Sequence, residues 1–167
     1  MTNRFLAGAA TAGHQVEGNN TNSDTWAMEQ MKYGGYSEKS GIACDHYNRW
    51  KEDIDIMKAA GLNAYRFSLE WARIEPQEGV FDFSHVERVM DAMEEAGIYV
   101  IIGTPTYAVP SWMTKAHPDI LVTTKEGRTL YGPRQIMDLS NAAYRFYCER
   151  IIRKLMQCTA HRKCVIG

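Results

Sequence analysis

A repeat of about 36 residues is the feature that most constrains how this chain can fold. Residues 55–65 close a helical pattern, pass a glycine and enter an apolar run, and residues 91–101 do the same. The two glycines, Gly61 and Gly97, stand where a left-handed helix C-cap is expected. A helix followed by a short apolar strand, found twice, predicts βα units whose parallel strands are joined by right-handed helical crossovers.

The same spacing places three helices and three strands. Apolar residues recur at helical intervals before each glycine and again over 141–157, so three helices are predicted, the second opening at Ser84 with Glu87 in a capping-box pattern. Short runs rich in strand-forming residues predict strands at 5–10, 64–69 and 99–103. An apolar run at 164–167 begins a fourth strand.

Composition and charge are those of an ordinary globular chain, which we take as one domain over 1–167. The chain has 167 residues, 45% of them hydrophobic, which is enough for a sizeable core. With 19 basic and 20 acidic residues it has no field to attract nucleic acid or an anionic membrane. No apolar run approaches the roughly 18 residues that cross a bilayer, and the start lacks the order of a secretory signal. We predict a cytoplasmic protein that binds neither nucleic acid nor membrane.

Four cysteines are spaced without a disulfide framework, as expected in a reducing compartment. Three possible metal ligands, Cys158, His161 and Cys164, lie three residues apart. A zinc site needs a fourth ligand, however, and no CxxC pair supports one. The favoured interpretation is a helix end with incidental thiols, and no metal or cofactor is predicted.

Polar and aromatic residues collect where the predicted strands end. These ends read AGHQVEG at 12–18, RFSLEW at 66–71 and TPTY at 104–107. Parallel βα folds bind ligands beyond the C-terminal ends of their strands. Amides and charged groups can bind sugar hydroxyls, and flat rings can cover a sugar's apolar face. We therefore predict a carbohydrate site, with 104–139 as a structured active-site loop. No dinucleotide or Walker motif supports a dehydrogenase or a kinase.

Six stretches, in the correct order, resemble retaining glycoside hydrolases. The opening strand FLAGAATAGHQVEG, then DHYNRWKED and AYRFS, are similar to glycoside hydrolase family 1. Three other stretches, EPQEGVFDF, GTPTYAVPSW and HPDIL, resemble the β-galactosidases of family 42. The resemblance implies an α/β fold, namely an incomplete (β/α)8 (TIM) barrel of about three to four βα units. It also implies hydrolysis of β-galactosides or β-glucosides without a cofactor.

The resemblance further implies roles for individual residues. Gln15 resembles the amide that binds hydroxyls of the nonreducing sugar. Arg66 resembles the arginine that lies beneath the nucleophile, orients it and lowers its pKa. Trp112 is expected to line the sugar pocket, and Tyr107 is a further candidate by its location alone.

Each of these residues also has a structural alternative. Arg66 could form an ion pair with Glu70 or Asp53. Gln15 could cap a turn, and Trp112 could belong to the core of the loop. The sequence leaves these alternatives open.

The catalytic carboxyl groups pose the main question. Retaining glycosidases use two, about 5–5.5 Å apart, and in the resembled families they follow the fourth and seventh strands, beyond Gly167. Within the chain, Glu70 and then Glu17 are the candidate catalytic carboxylates, whereas Glu75 and Glu78 are interpreted as turn and surface charges. Three hypotheses remain: a fragment of a glycosidase, a short protein that works by assembling copies, and a sugar-binding or interaction module without turnover.

Three or four strands cannot close a barrel of eight. At least one strand edge and the inner face of the sheet therefore stay open. An apolar surface of that size normally marks an interface. We predict a homo-oligomer, a dimer or tetramer, that associates through the sheet edge or the inner face.

Overall fold

Parallel strands and helices alternate along the chain as the repeat predicts. The computed structural model describes residues 5–32, 36–124, 127–128 and 137–167. Strands β1 (Gly8–Thr11), β2 (Ala64–Ser68) and β3 (Tyr99–Gly103) form a parallel sheet in that order. Each strand is followed by a long helix: α3 (His46–Ala59), α5 (Ser84–Ala96) and α7 (Ala142–Thr159). Short helices lie in the connections: α1 (Gly13–Val16), α2 (Asp24–Glu29), α4 (Trp71–Ile74) and α6 (Ser111–Ala116).

The last residues begin a fourth parallel strand, which confirms the sequence prediction. Val165 forms a parallel bridge with Val100 of β3. The Val100 amide donates to the Cys164 carbonyl at 2.7 Å, and the Ile166 amide donates to the Val100 carbonyl at 2.9 Å. The order of parallel strands is therefore β1, β2, β3 and then residues 164–167.

The sheet has one covered face and one open face. Alternate residues of β2 and β3, including Phe67 and Val100, are buried beneath the helices. The residues between them point the other way, and Arg66 and Ile101, which are partners in register, are exposed. Ile101 is 40% exposed although it lies in the middle of an apolar strand. None of the helices in the described part of the chain is long and apolar enough to cross a membrane.

Helix ends confirm most of the sequence prediction and correct one part of it. Gly61 and Gly97 follow their helices with φ of 73° and 71°, the left-handed conformation expected of them. Helix α7 begins after Asn141, whose side chain accepts from the Tyr144 amide at 3.0 Å. The predicted capping box, with Ser84 as the N-cap residue, was wrong. Ser84 lies inside α5, and its amide donates instead to the Asp82 carboxylate at 2.9 Å.

The first strand and the long loop differ most from the prediction. The first strand covers Gly8–Thr11 rather than 5–10. Phe5 and Leu6 are 84% and 42% exposed, so their apolar side chains are not part of the described core. The predicted loop 104–139 contains α6, a 3-10 helix (Pro118–Ile120) and an antiparallel pair, β4 (Thr123–Thr124) with β5 (Gly127–Arg128). Residues 125–126 and 129–136 of that loop lie outside the described residues.

Candidate active site

A cleft of about 700 Å³ opens at the C-terminal ends of the three strands. This volume lies within the roughly 300–1,000 Å³ of small-molecule sites. Four residues selected from the sequence line it: Gln15, Arg66, Glu70 and Tyr107. Other polar or aromatic side chains share the lining: His14, Thr25, Tyr36, Ser68, Thr104 and Thr106. The parallel strands therefore bring together residues from three separate motifs, as their shared orientation predicts.

Arg66 lies on the open face of the sheet, where its side chain is exposed. The two carboxylates considered as its structural partners are engaged elsewhere. Asp53 lies 2.6 Å from Nδ1 of His46, and Glu70 accepts a hydrogen bond from Asn20. The position of Arg66 thus agrees with a role in the cleft.

Glu70 is a buried carboxyl group at the cleft wall. It stands at the N-cap of α4, and its Oε2 accepts from Nδ2 of Asn20 at 2.7 Å. Burial, and after it the negative charge of Glu17, raise the pKa of Glu70 to about 8. The side chain is therefore protonated at neutral pH and has a proton to donate, which is the property required of a general acid.

Glu17 lies behind the cleft rather than in its lining. Its Oε2 is 2.7 Å from Nε of Arg73, and the pair is largely buried. Burial raises the pKa of Glu17, against the opposing charge of Arg73. The Arg73 guanidinium also lies 3.8 Å from the centre of the Tyr47 ring. This arrangement disfavours direct contact between Glu17 and a molecule bound in the cleft.

Two further cleft residues were not selected from the sequence. His14 directly precedes Gln15, and its Nε2 lies 2.6 Å from Oε1 of the buried Glu29. The other oxygen of Glu29 accepts from the Ser40 hydroxyl at 2.8 Å. His14 could have been found from its place in the strand-end motif. Tyr36, in contrast, lies between predicted elements, where periodicity gives no signal.

A buried aspartate anchors the segment that carries Tyr107. Oδ1 of Asp24 accepts from the amides of Thr25 at 2.8 Å and Val109 at 2.9 Å. The Asp24 amide donates in return to the Val109 carbonyl. Burial raises the pKa of Asp24 to about 6. Helix α2 therefore fixes the chain that follows β3 against the cleft.

Trp112 is placed differently from the expectation. Its ring packs edge-on against Tyr147 at 5.4 Å, and its Nε1 donates to the Glu75 carbonyl at 2.9 Å. It is not among the cleft-lining residues of the described chain. Its alternative role in the loop core is the one that the structure matches, because its indole N–H is satisfied there.

Glu75 was wrongly interpreted as a turn charge. It is fully buried, accepts from Nε1 of Trp71 at 2.8 Å and from the Gly79 amide at 2.7 Å, and pairs with Arg150. These donors compensate the cost of burying the carboxylate. Glu78 is exposed, as expected of a surface charge.

The cysteines are all free thiols. Cys158 donates to the Glu87 carboxylate at 3.8 Å, and Cys164 is buried at the start of the fourth strand. Across the described residues, no three His, Cys, Asp or Glu side chains are grouped so that they could hold a metal ion.

Comparison with known families decides the relationship. The β-galactosidase family of glycoside hydrolase 42 matches residues 44–167. The chain belongs to this family. A β-galactosidase from Arthrobacter sp. is 31% identical over 163 residues, which are 94% of this chain and 21% of that protein. The chain thus spans about a fifth of the length of this relative, and other family members give a similar share.

Solved glycosidase structures share the fold of this family member. A β-glucosidase from Thermotoga maritima superposes with a TM-score of 0.78, is 26% identical and is covered over 36% of its length by the whole of this chain. A β-glycosidase from Pyrococcus horikoshii gives a TM-score of 0.74 at 30% identity, over 96% of this chain and 34% of that one. The fold is therefore an incomplete (β/α)8 barrel, as the sequence predicts.

Proposed function

We propose that this family 42 member is a β-glycosidase that acts on β-galactosides or β-glucosides and binds the sugar in the cleft at the strand ends. The observation that carries the proposal is the convergence of Gln15, Arg66, Tyr107 and Glu70 on one cleft. Gln15 and Arg66 would bind hydroxyl groups, and the exposed ring of Tyr107 would lie against the apolar face of the sugar.

Glu70 is the carboxyl group that we assign to proton transfer. It lines the cleft, and it keeps its proton at neutral pH because it is buried beside Glu17. Glu17 is screened from the cleft and paired with Arg73, so we assign it an indirect role through Glu70. No cofactor is required for such a step, in which a proton passes to the departing oxygen.

Hydrolysis of chromogenic β-galactosides and β-glucosides tests the activity. We expect slow turnover, because a retaining mechanism also needs a nucleophilic carboxylate, and losing one such group costs several orders of magnitude. Glu70→Gln should abolish the remaining turnover while keeping the shape of the side chain. Glu95→Gln, which removes an exposed carboxylate on α5, is the matched control. Turnover by Glu70→Gln equal to that of wild type and of Glu95→Gln would reject Glu70 as the proton donor. Unchanged turnover in Glu17→Gln as well would indicate a contaminating enzyme.

Sugar binding without turnover is the second candidate function. Within the described chain, Glu70 supplies the one carboxyl group of the cleft lining, whereas retaining hydrolysis uses two about 5–5.5 Å apart. A cleft with hydroxyl-binding groups and one protonated acid could hold a sugar and leave it intact.

Calorimetric titration separates the two candidates. The probes are galactose, glucose and castanospermine, with which the Thermotoga maritima enzyme has been crystallised. Binding that is weakened by Gln15→Ala, with no hydrolysis in the chromogenic assay, would establish a binding module. Absence of both binding and hydrolysis would reject both functions for this chain.

We also propose that copies of the chain associate through the open face of the sheet. Ile101 is exposed there in the middle of β3, and β1 is an edge strand among the described residues. A second apolar surface lies on the outside of α7, where Phe146 and Met156 are 61% and 40% exposed. Open edges and apolar faces favour a two-fold pair, or a tetramer of such pairs.

Light scattering coupled to size exclusion tests this association. Ile101→Lys should convert the oligomer to a monomer, because it places a charge in the centre of the proposed interface. Val80→Lys changes an apolar residue that is 53% exposed in a turn, and it should leave the mass unchanged. A wild-type monomer at micromolar concentration would reject the proposal. Disruption by Phe146→Lys alone would move the interface to α7.

A cytoplasmic location is part of the same proposal. All four cysteines are free, including the exposed Cys44, which suits a reducing compartment. Fractionation of the producing cells, followed by immunodetection, tests it. Recovery of the protein outside the cytoplasmic fraction would reject the assignment.

A further inference from the structure

Two buried carboxyl groups and one arginine lie beneath the short helix that carries Gln15. Glu17 and Glu70 are 7% and 8% exposed, and Arg73 is in contact with Glu17. Arg73 also donates to the Gly18 carbonyl, so its guanidinium links the end of this segment to α4. The cluster therefore joins the first and second βα units directly behind the cleft.

Gly13, the first residue of the short helix α1, lies against both carboxyl groups. A Cβ atom placed on Gly13 would be 2.6 Å from Oε1 of Glu70 and 3.1 Å from Oε1 of Glu17. The Gly13 amide donates to the Ser68 hydroxyl at 2.9 Å. A side chain at position 13 would thus collide with Glu70, and the position of α1 depends on where the two carboxyl groups lie.

The charges in the cluster balance when one of the two carboxyl groups keeps its proton. Burial raises the pKa of Glu17, and the positive charge of Arg73 and the rings of His46 and His14 act against this rise. Two buried carboxylates against the one arginine would leave an uncompensated negative charge in a site with little water.

Glu70 lies on the side of the cluster that favours the proton. Burial and then the negative charge of Glu17 raise the pKa of Glu70, and Asp24 adds a smaller effect in the same direction. The hydrogen bond from the His14 backbone amide and the charge of Arg73 act against this rise. Glu17 touches the arginine, whereas the partners of Glu70 are neutral: the Asn20 side-chain amide and the His14 backbone amide. The negative charge therefore belongs on Glu17 and the proton on Glu70.

We propose that Glu17 and Arg73 are positioning residues that keep Glu70 protonated, so that the two carboxyl groups hold one proton between them. They also hold α1, with His14 and Gln15, at the rim of the cleft. The inference rests on the proposed function for its consequence, a protonated acid beside the sugar-binding amide. The coupling itself is a property of the folded chain and can be measured without any sugar. Ionisation of Glu70 would repel Glu17 across Gly13 and displace α1.

Carboxyl titration by NMR tests the coupling directly. In protein labelled with ¹³C at the glutamate carboxyl carbon, we expect one resonance, absent in Glu70→Gln, to titrate near pH 8. In Glu17→Gln that midpoint should fall by about one pH unit, because a like charge close by has been removed. The Gln15 side-chain amide, followed by ¹⁵N, should shift with the same midpoint in wild type and lose this transition in Glu70→Gln.

Two further variants make the outcome decisive. Arg73→Lys keeps the positive charge and should preserve the high midpoint, and Glu95→Gln on the surface should leave every cluster resonance unchanged. An unaltered Glu70 midpoint in Glu17→Gln would overturn the coupling. If the variants fail to fold, wild type alone decides, since the absence of any glutamate titrating above pH 6 would also overturn it. A positive titration without sugar binding would leave the coupling intact and reject only the proposed function.

Discussion

The wild type should lose stability as the pH rises from 6 to 8, and the variant Glu70→Gln should lose far less. The folded-state pKa of Glu70 is about 8, above its ordinary value of 4.5. The folded protein therefore holds this proton more tightly than the unfolded chain. The resulting stabilisation is complete below about pH 4.5 and is lost as the pH rises through about 8.

The magnitude follows from this difference in pKa. Each pH unit between the two values changes the free energy of unfolding by about 1.4 kcal/mol, so the step from pH 6 to pH 8 is at most about 3 kcal/mol. That is a large part of the roughly 5–15 kcal/mol that stabilises a typical domain. Asp24, with a pKa of about 6, contributes mainly below this window. Glutamine keeps an oxygen that can accept from Asn20, so the variant resembles the protonated acid.

Urea unfolding at pH 6, 7 and 8, at one ionic strength, measures the effect. The wild-type midpoint should fall with pH at a constant slope m, while that of Glu70→Gln should change far less. Glu95→Gln, an exposed carboxylate on α5, should follow the wild type. If Glu70→Gln lost stability in parallel with wild type over this range, the assignment of the proton to Glu70 would be refuted.

Three other substitutions give independent predictions. Gly13→Ala should lower the free energy of unfolding by about 1–3 kcal/mol in a thermal melt, because its Cβ would lie 2.6 Å from the Glu70 carboxyl. Trp112→Phe should cost about 1–3 kcal/mol by leaving the Glu75 carbonyl without its donor, yet leave sugar affinity by calorimetry unchanged. Arg66→Lys should weaken sugar binding roughly tenfold through loss of a two-pronged donor, with little change in the melt because Arg66 is exposed. Loss of sugar affinity in Trp112→Phe, or a lower melting temperature in Arg66→Lys, would contradict the roles assigned to these residues.

The long elements could be predicted because each carries its own periodic signal. Strand β3 has the predicted bounds, and α5 and α7 agree to within about two residues. The helices of four to six residues could not be found this way, since a single turn contains too few positions to establish a period. The first strand was predicted to begin too early because Phe5 and Leu6 are apolar but exposed, and the sequence alone does not distinguish an exposed apolar residue from a buried one.

The cleft was predictable for a topological reason. Gln15 and Tyr107 follow β1 and β3, and Arg66 lies within β2. Parallel strands bring such positions to one end of a sheet, where these residues line the cleft. Glu75 was misjudged, and the two roles of Trp112 could not be separated, because the environment of each residue depends on partners far along the chain. The Trp112 ring meets Tyr147, and Glu75 pairs with Arg150, 75 residues away. No local pattern specifies these contacts.

Covering the open face of the sheet should change the surroundings of that face but not those of the buried cluster. Glu17, Glu70 and Arg73 are packed among the first two βα units, so their charges are compensated within the described chain. Arg66 and Ile101 lie on the face that a closed barrel would enclose, and their surroundings would change on association. The proton on Glu70 is therefore a property of the N-terminal units alone and should be the same in monomer and oligomer. The affinity that Arg66 contributes should instead depend on assembly, because a covered face excludes water from its contacts with the sugar.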